Sequence, residues 1–298
     1  MESVYATSAR GTRRITPGSL IGLEHEYVVH LAGREIDFAP LLTRVTHADM
    51  LLDPAGRAAT RLPPGTVVTA DETEAEIALP PLPTRPGFAA RLDGRAQEGR
   101  AWLRGRLQEF LGPDVALEGV STHISVSLPG EYVTLIAEVF PSTFAPALVL
   151  LMDRQESAGI LTRPHPDRLE VCGDFVAGLQ LRAAAIFALG SVLASVQAFG
   201  NGTLDHLPAL RLAIRRRRID GSQPCSHWTN GAGLRREGRA TPVVDSDGRV
   251  KTAQEHLEAT WAAIRPALED HVDGDELALV DRIVGGEGPL PIESAPVG

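Results

Sequence analysis

Cysteine is nearly missing from this chain: 298 residues contain two, Cys172 and Cys225, and neither sits in a CxxC or other zinc-type spacing. That excludes a disulfide framework and points to a reducing compartment. No apolar region follows the N-terminal arginines Arg10, Arg13 and Arg14, so no signal peptide is expected and the reading is cytoplasmic. The most apolar stretch, Phe175 to Phe199, carries Gln180, Arg182 and Gln197, which favours a buried core helix over a membrane span. Gly200-Asn201-Gly202 lacks the Gly-Lys-Ser/Thr ending of a phosphate loop and reads as the turn closing a helix. Positive charge is in deficit as well. The formal net charge is −9, so the surface repels nucleic acid and anionic membrane, and neither is expected as a partner. A nucleotide-using enzyme of this charge must neutralise phosphates locally, with metal ions or a few arginines.

Hydrophobic residues at 43% and charged residues at 22% fit a globular protein with a sizeable core. Residues 1–18 read as a loose lead-in, 19–287 as a single catalytic domain, and 288–298, with its prolines, as a flexible tail. The β-rich run Ser19 to His30 predicts a first strand. Ala39 to Leu52 predicts a helix ended by Asp53-Pro54-Ala55-Gly56. Gly65 to Leu79 predicts a strand or hairpin stopped by Pro80, Pro81, Pro83 and Pro86. Helical spacing runs from Phe88 to Leu111, a strand from Val115 to Leu128, and an interrupted helix from Glu131 to Met152. Arg168 to Asp174 is a short strand followed at once by the apolar helix, and two amphipathic helices cover Ala253 to His271 and Asp275 to Gly285. Strands and helices without regular βαβ alternation predict an α+β fold, a mainly antiparallel sheet with helices packed on one face.

Side chains alternate along a strand, so residues two apart share a face. Glu24 and Glu26 then oppose Leu23, His25 and Tyr27, and Glu72, Glu74 and Glu76 oppose Thr73, Ala75 and Ile77. His123, Ser125 and Ser127 oppose Thr122, Ile124 and Val126, while Arg168, Glu170, Cys172 and Asp174 oppose Leu169 and Val171. For one strand, a half-solvated sheet accounts for the pattern. Four strands rich in Glu, Asp and His ask for something cationic among them, because aligned carboxylates repel. Oxygen donors of this kind select Mg²⁺, with Mn²⁺ as the substitute, over zinc.

These segments resemble, in order, the motifs of the glutamate–cysteine ligase-like carboxylate–amine ligases, relatives of glutamine synthetase. IGLEHEY (21–27) resembles their opening Gly-x-Glu-x-Glu strand, and ETEAEIALPP (72–81) their Glu-rich strand ending in prolines. THISVSL (122–128) is similar to their Thr-His-Val-His-Val strand, and RLEVCGDF (168–175) to their Glu-x-Arg-x-x-Asp strand. Residues 233–268 resemble the C-terminal stretch of actinobacterial-type members. Ser125 stands where the family has a second histidine, and Cys172 where it has an arginine. The resemblance implies the glutamine synthetase-like catalytic fold. It also implies an ATP- and Mg²⁺-dependent enzyme that phosphorylates a substrate carboxylate, of an amino acid, and joins it to an amine. By position it implies Glu24, Glu26 and Glu76 as metal-binding catalytic groups, with Glu74 (or Glu72) and His123 as further ligands. His123, Arg163 and Glu170 fall at the nucleotide, and Arg163 and Arg168 act as clamps on phosphate or substrate carboxylate. Partners would be a small-molecule acid and amine, and a homo-oligomer is compatible. The alternatives are a metal-dependent hydrolase or phosphotransferase on the same site, and a non-catalytic nucleotide- or amino-acid-binding regulator, which Ser125 and Cys172 favour.

Other features carry less. Arg215 to Arg218 reads as a solvated face or subunit contact in so acidic a chain. Cys225 and His227 lack a third partner for nucleophilic catalysis. Trp102, Trp228 and Trp261 read as core or interface residues.

Overall fold

β1 (Leu20–Leu31) runs through the middle of a 12-stranded sheet and turns back at once into β2 (Arg34–Ile36). The computed structural model describes residues 16–46, 50–52, 58–62, 65–154, 157, 159–217, 226–229 and 232–291. After β2, a single 3-10 turn leads into the short α1 (Leu42–Thr46) and the outer strands β3 (Met50–Leu52) and β4 (Ala58–Arg61). β5 (Val67–Asp71) and β6 (Glu74–Ala78) form a hairpin, followed by the two-residue β7 (Leu82–Pro83) and the long α2 (Phe88–Leu111). β8 (Val115–Ser127) returns along β1, and α3 (Gly130–Thr143) and α4 (Ala145–Met152) lead to β9 (Ile160–His165) and β10 (Arg168–Asp174). α5 (Gly178–Gly200), β11 (Ile214–Arg217), β12 (Ser226–Thr229) and α6 (Ala232–Glu237) follow. A two-stranded ribbon, β13 (Pro242–Val244) with β14 (Val250–Thr252), precedes α7 (Ala253–Ile264) and α8 (Gly274–Val284).

The main sheet is ordered β11-β12-β9-β10-β8-β1-β6-β5-β4-β3, with β2 and β7 also on β1. Every pairing among the described strands is antiparallel. This is the expected α+β architecture. Its apolar face carries Leu23, Tyr27, Ile77, Ile124 and Val171, all buried, and α2 and α5 pack on that side. Phe175 lies so close over Gly119 that a Cβ there would sit 2.1 Å from the ring, so only glycine fits. The same ring packs on His25 and Tyr27, with Arg100 of α2 over Phe175 and Tyr27.

α5 is long and apolar enough to cross a membrane, with a mean hydropathy of 1.7, but 72% of that window is buried inside the protein. It packs against α2, α4, α7 and α8, as a core helix does. Trp261 of α7 stacks on its Phe187, and the indole N–H donates to Asp281 at 2.7 Å. α7 and α8 both open on capping boxes, Thr252 with Glu255 and Asp273 with Glu276. Residues assigned to the lead-in and tail pack on the body where they are described: Gly18 N donates to Ser127 O at 2.8 Å, and Leu290 is fully buried.

One expectation is corrected. Ala39–Leu52 is not one helix: the helix ends at Thr46, and Met50–Leu52 pairs with β4 instead. Helix propensity is weak along its β-branched Thr43, Val45 and Thr46, and sheet pairing outweighs it. The helix at 131–152 does break, by 62° between α3 and α4, with Pro141 inside the first and Pro146 at the start of the second. Arg163 lies on β9, a strand added to those expected, and β11 and β12 extend the sheet beyond it.

Candidate active site

In antiparallel strands, residues paired across the ladder share a face. Glu24 pairs with His123, and Glu26 with Ser121 on one side and Glu76 on the other. Cys172 pairs with His123, Glu170 with Ser125 and Arg163, and Arg168 with His165. Glu76 pairs with Thr69, and Glu74 with Asp71. One face of five adjacent strands and of β9 therefore carries all these polar side chains. The central ones are buried, with relative exposure of 5% for Glu24, 7% for Glu26, 3% for Glu76, 6% for His123 and 1% for Glu170, and Asp71, Glu74, Ser121, Arg163 and Arg168 around them are half-buried. A half-solvated outer face would leave them in water, so that reading fails.

The acidic end lies over β1, β6 and β5. Carboxylate oxygens of Glu26, Asp71 and Glu76 lie within 4.8 Å of one another. Two full charges at that spacing repel by about 3 kcal/mol at an effective dielectric near 20. Glu74, half-buried beside them, has its carboxyl pushed up, first by burial and then by Glu26, Asp71, Glu72 and Glu35. Ser121 Oγ donates to Glu26 at 2.5 Å. An all-oxygen donor set with excess negative charge fits a hard divalent cation. Asp71 was not foreseen as a member; it arrives because the hairpin turns at Glu72 and Thr73, which sets Asp71 opposite Glu74. Glu72 leaves the face for the same reason, exposed in the turn with φ +52°.

His123 is the hinge between the two ends. Its Nδ1 lies 3.5 Å from Glu24 and 3.8 Å from Glu170, and its Nε2 3.9 Å from Glu26. Burial opposes the charged ring, but Glu24, Glu26 and Glu170 together raise its pKa to about 9. The ring is then an imidazolium among carboxylates, filling the electrostatic place a metal would take.

The basic end is built around Glu170. Its carboxylate accepts Arg163 Nη1 at 2.8 Å and pairs with His165 Nε2 at 2.7 Å. Burial alone would raise its pKa, but these partners hold it well below the carboxylate range. Arg168 stands farther off, Nη2 4.0 Å from Glu170, with Nη1 on Asp167 at 3.1 Å. Cys172 shares the face with Glu170 and Asp174, as its spacing predicts. Burial and then Glu170 push its thiol up, so it stays protonated and donates to Glu170 at 3.3 Å. Asp174 instead accepts the Arg154 backbone N–H at 2.8 Å.

Arg215–Arg217 form the edge strand β11, where Arg216 pairs with Glu138 of α3; Arg218 lies outside the described residues. Cys225 does too, while His227, 3.6 Å from Glu138, has its pKa lowered by burial. Trp261 is core, and Trp102 and Trp228 are half-buried.

No known protein family and no curated protein sequence matches the chain. Solved structures do resemble it over most of its length. The Pup ligase PafA in complex with Pup aligns with a TM-score of 0.48 at 13% identity, over 90% of this chain and 65% of that one. GmaS bound to ADP aligns at 0.41 and 11% identity, over 90% and 69%. Glutamate–cysteine ligase from Francisella tularensis with AMP aligns at 0.38 and 10% identity, over 93% and 84%. The chain thus spans 65% of the Pup ligase's own length.

Proposed function

We propose that the chain is an ATP- and Mg²⁺-dependent ligase, acting in the cytoplasm, that activates the carboxylate of a small acid, an amino acid, and joins it to an amine. The observation that supports this most is the convergence of Glu26, Asp71 and Glu76 on an enclosed sheet face whose other end is cationic. The ordered sequence motifs point the same way. In the reaction, the γ-phosphoryl group of ATP passes to a carboxylate oxygen and ADP leaves. The amine nitrogen then attacks the acyl carbon, the C–O bond to phosphate breaks, and the amine proton goes to solvent. Amide, ADP and phosphate are the products.

A divalent cation held by Glu26, Asp71 and Glu76, with Glu24 and Glu74 beside them, would neutralise phosphate charge. The chain's own residues do the rest. Arg163 and Arg168 make the end of the face that attracts a substrate carboxylate or phosphate, while His165 and Arg163 keep Glu170 ionised and fixed. His123 carries positive charge next to Glu24 and Glu26 until a stronger cation is present.

The test is ADP release measured across amino acids with and without amines, with product masses read in parallel. Amine-dependent ADP release with a condensed product supports the ligase. Amine-independent release points to a hydrolase or phosphotransferase. Mg·ATP binding with no turnover points to a regulator, the reading favoured by a thiol at Cys172 where the ligases carry arginine.

A further inference from the structure

We propose that the cavity between the start of α5 and the end of α8 binds an α-amino acid with an aliphatic side chain, gripping its zwitterionic head and its side chain together. This does not depend on the ligase reading. The cavity measures about 340 Å³ and is lined by α5, α8 and the segment after α8, so it lies in the helical layer and not on the polar face of the sheet. That size is at the small end of ligand sites and suits one amino acid rather than a nucleotide.

The floor is aliphatic. Leu279 and Ile283, one turn apart on α8, are 5% and 7% exposed, and Leu179 of α5 lines the same cavity at 58% exposure. The rim carries Arg282 and Glu287. Their backbones are joined, Glu287 N–H donating to Arg282 O at 2.9 Å. Their side chains nevertheless form no ion pair with each other or with any other described residue. A cation and an anion that share a rim without touching leave a gap between opposite charges. An α-carboxylate on Arg282 and an α-ammonium group on Glu287 fill that gap, the carboxylate taking a forked pair of guanidinium bonds. A fatty acid offers nothing to Glu287 and an alkylamine nothing to Arg282, so the zwitterion is the better complement.

The walls are held from behind. Arg239 Nη2 donates to Ile283 O at 2.8 Å and to Gly288 O at 3.0 Å, which fixes the turn that follows α8 on both sides. Gln254 donates to Val284 O, and Leu290 is fully buried just beyond. At the other wall, Gly178 N–H donates to Asp93 of α2 at 2.9 Å. The cavity is thus pre-formed, and binding need not order it. Solvated charges around a surface dimple are the plainer reading of Arg282 and Glu287, but that leaves the aliphatic floor and its fixed walls without an occupant.

The test is calorimetric titration of the full chain with L-leucine. One saturable site is expected, with a rise in melting temperature as it fills. 4-Methylpentanoate lacks the ammonium group and isopentylamine the carboxylate, and each should bind at least about tenfold more weakly, the usual loss for one charge-assisted bond. Glycine, with no side chain for the floor, should lose at least about tenfold as well. Arg282→Ala and Glu287→Ala, both at exposed positions, should each weaken leucine by a similar factor without lowering the melting temperature of the free protein. Leucine binding that survives both substitutions overturns the site, because the amino acid would then be held elsewhere, the polar face included. Absence of saturable binding by the parent overturns it too, whether the cavity stays empty or is filled by residues 292–298 or by a second copy.

Discussion

Arg163 and Glu170 face each other across the β9–β10 pair, guanidinium to carboxylate at 2.8 Å, within the enclosed face of the sheet. The cation serving Glu170 thus comes from the neighbouring strand. Arg168, two residues before Glu170 on the same strand, turns toward Asp167 instead. The protonated thiol of Cys172 brings no charge to this face, and Arg163 supplies a positive group from the side.

Arg163→Met should therefore destabilise the fold by about 3–5 kcal/mol, the usual cost of stranding a buried charge. Arg168→Met should cost distinctly less. Urea denaturation of both variants reads the difference. Equal losses would mean that Glu170 does not rely on Arg163.

A second carboxylate holds two distant helices together. Glu276, 1% exposed, belongs to the capping box of α8 and also accepts the backbone N–H groups of Gly87 and Ala89, each at 2.9 Å. The N-cap of α2 is Gly87, which has no side chain to cap with, so Glu276 does that work from 189 residues away. Glu276→Ala should cost about 2–4 kcal/mol, by loss of charge-assisted bonds to donors that stay buried. Glu276→Gln, which keeps one acceptor oxygen, should recover part of it. Chemical denaturation measures both, and a loss below about 0.5 kcal/mol for the alanine variant would rule out the capping role.

Alternation made much of this legible beforehand. Phe88–Leu111 and Arg168–Asp174 have the bounds that their spacing predicts, and Glu24, Glu26, Glu76, His123 and Glu170 do share one face. What alternation could not supply was the turn between β5 and β6. Read as one strand, residues 65–79 put Glu72 on the face; folded at Glu72 and Thr73, they put Asp71 there instead. The dense Asp-Glu-Thr-Glu polarity at 71–74 was the available turn signal. β9 was hidden by Pro164, which reads as a strand breaker but lies beyond Thr162, the last β9 residue paired with β12 among the described residues. Burial of the polar face was not readable at all, because a solvated and an enclosed face have the same period.

If the acidic end holds a cation, ATP affinity should depend on it. Calorimetry with ATP should show Mg²⁺-dependent binding that the double variant Glu26→Gln, Glu76→Gln loses. The metal-free double variant should melt higher than the parent, since repulsion among Glu26, Asp71 and Glu76 is relieved while side-chain shape is kept. Equal ATP affinity with and without Mg²⁺ in the parent would sink the metal-bridged reading. A double variant that melts lower would show that the carboxylates are stabilised by partners rather than strained.

The last prediction is of acid sensitivity away from the site. His256 of α7 is 1% exposed; burial, then Lys251, lowers its pKa to about 3, against the weaker pull of a backbone hydrogen bond with Thr143. Thr260 Oγ1 stands 3.4 Å from its Nε2. The unfolded chain takes up this proton near pH 6.5, whereas the folded chain resists it until about 3. Between those values the unfolded state binds more protons, so the contribution of the neutral ring is complete above pH 6.5 and is lost as pH falls below it. The slope is about 1.4 kcal/mol per pH unit, or roughly 2–3 kcal/mol by pH 4.5. Other groups titrate in the same range, so the informative quantity is the difference between the parent and His256→Gln. At pH 7 the variant should be less stable through lost packing, and by pH 4.5 the gap should close or reverse. Parallel unfolding curves, with the same gap at both pH values, would show that the buried ring accepts its proton in place.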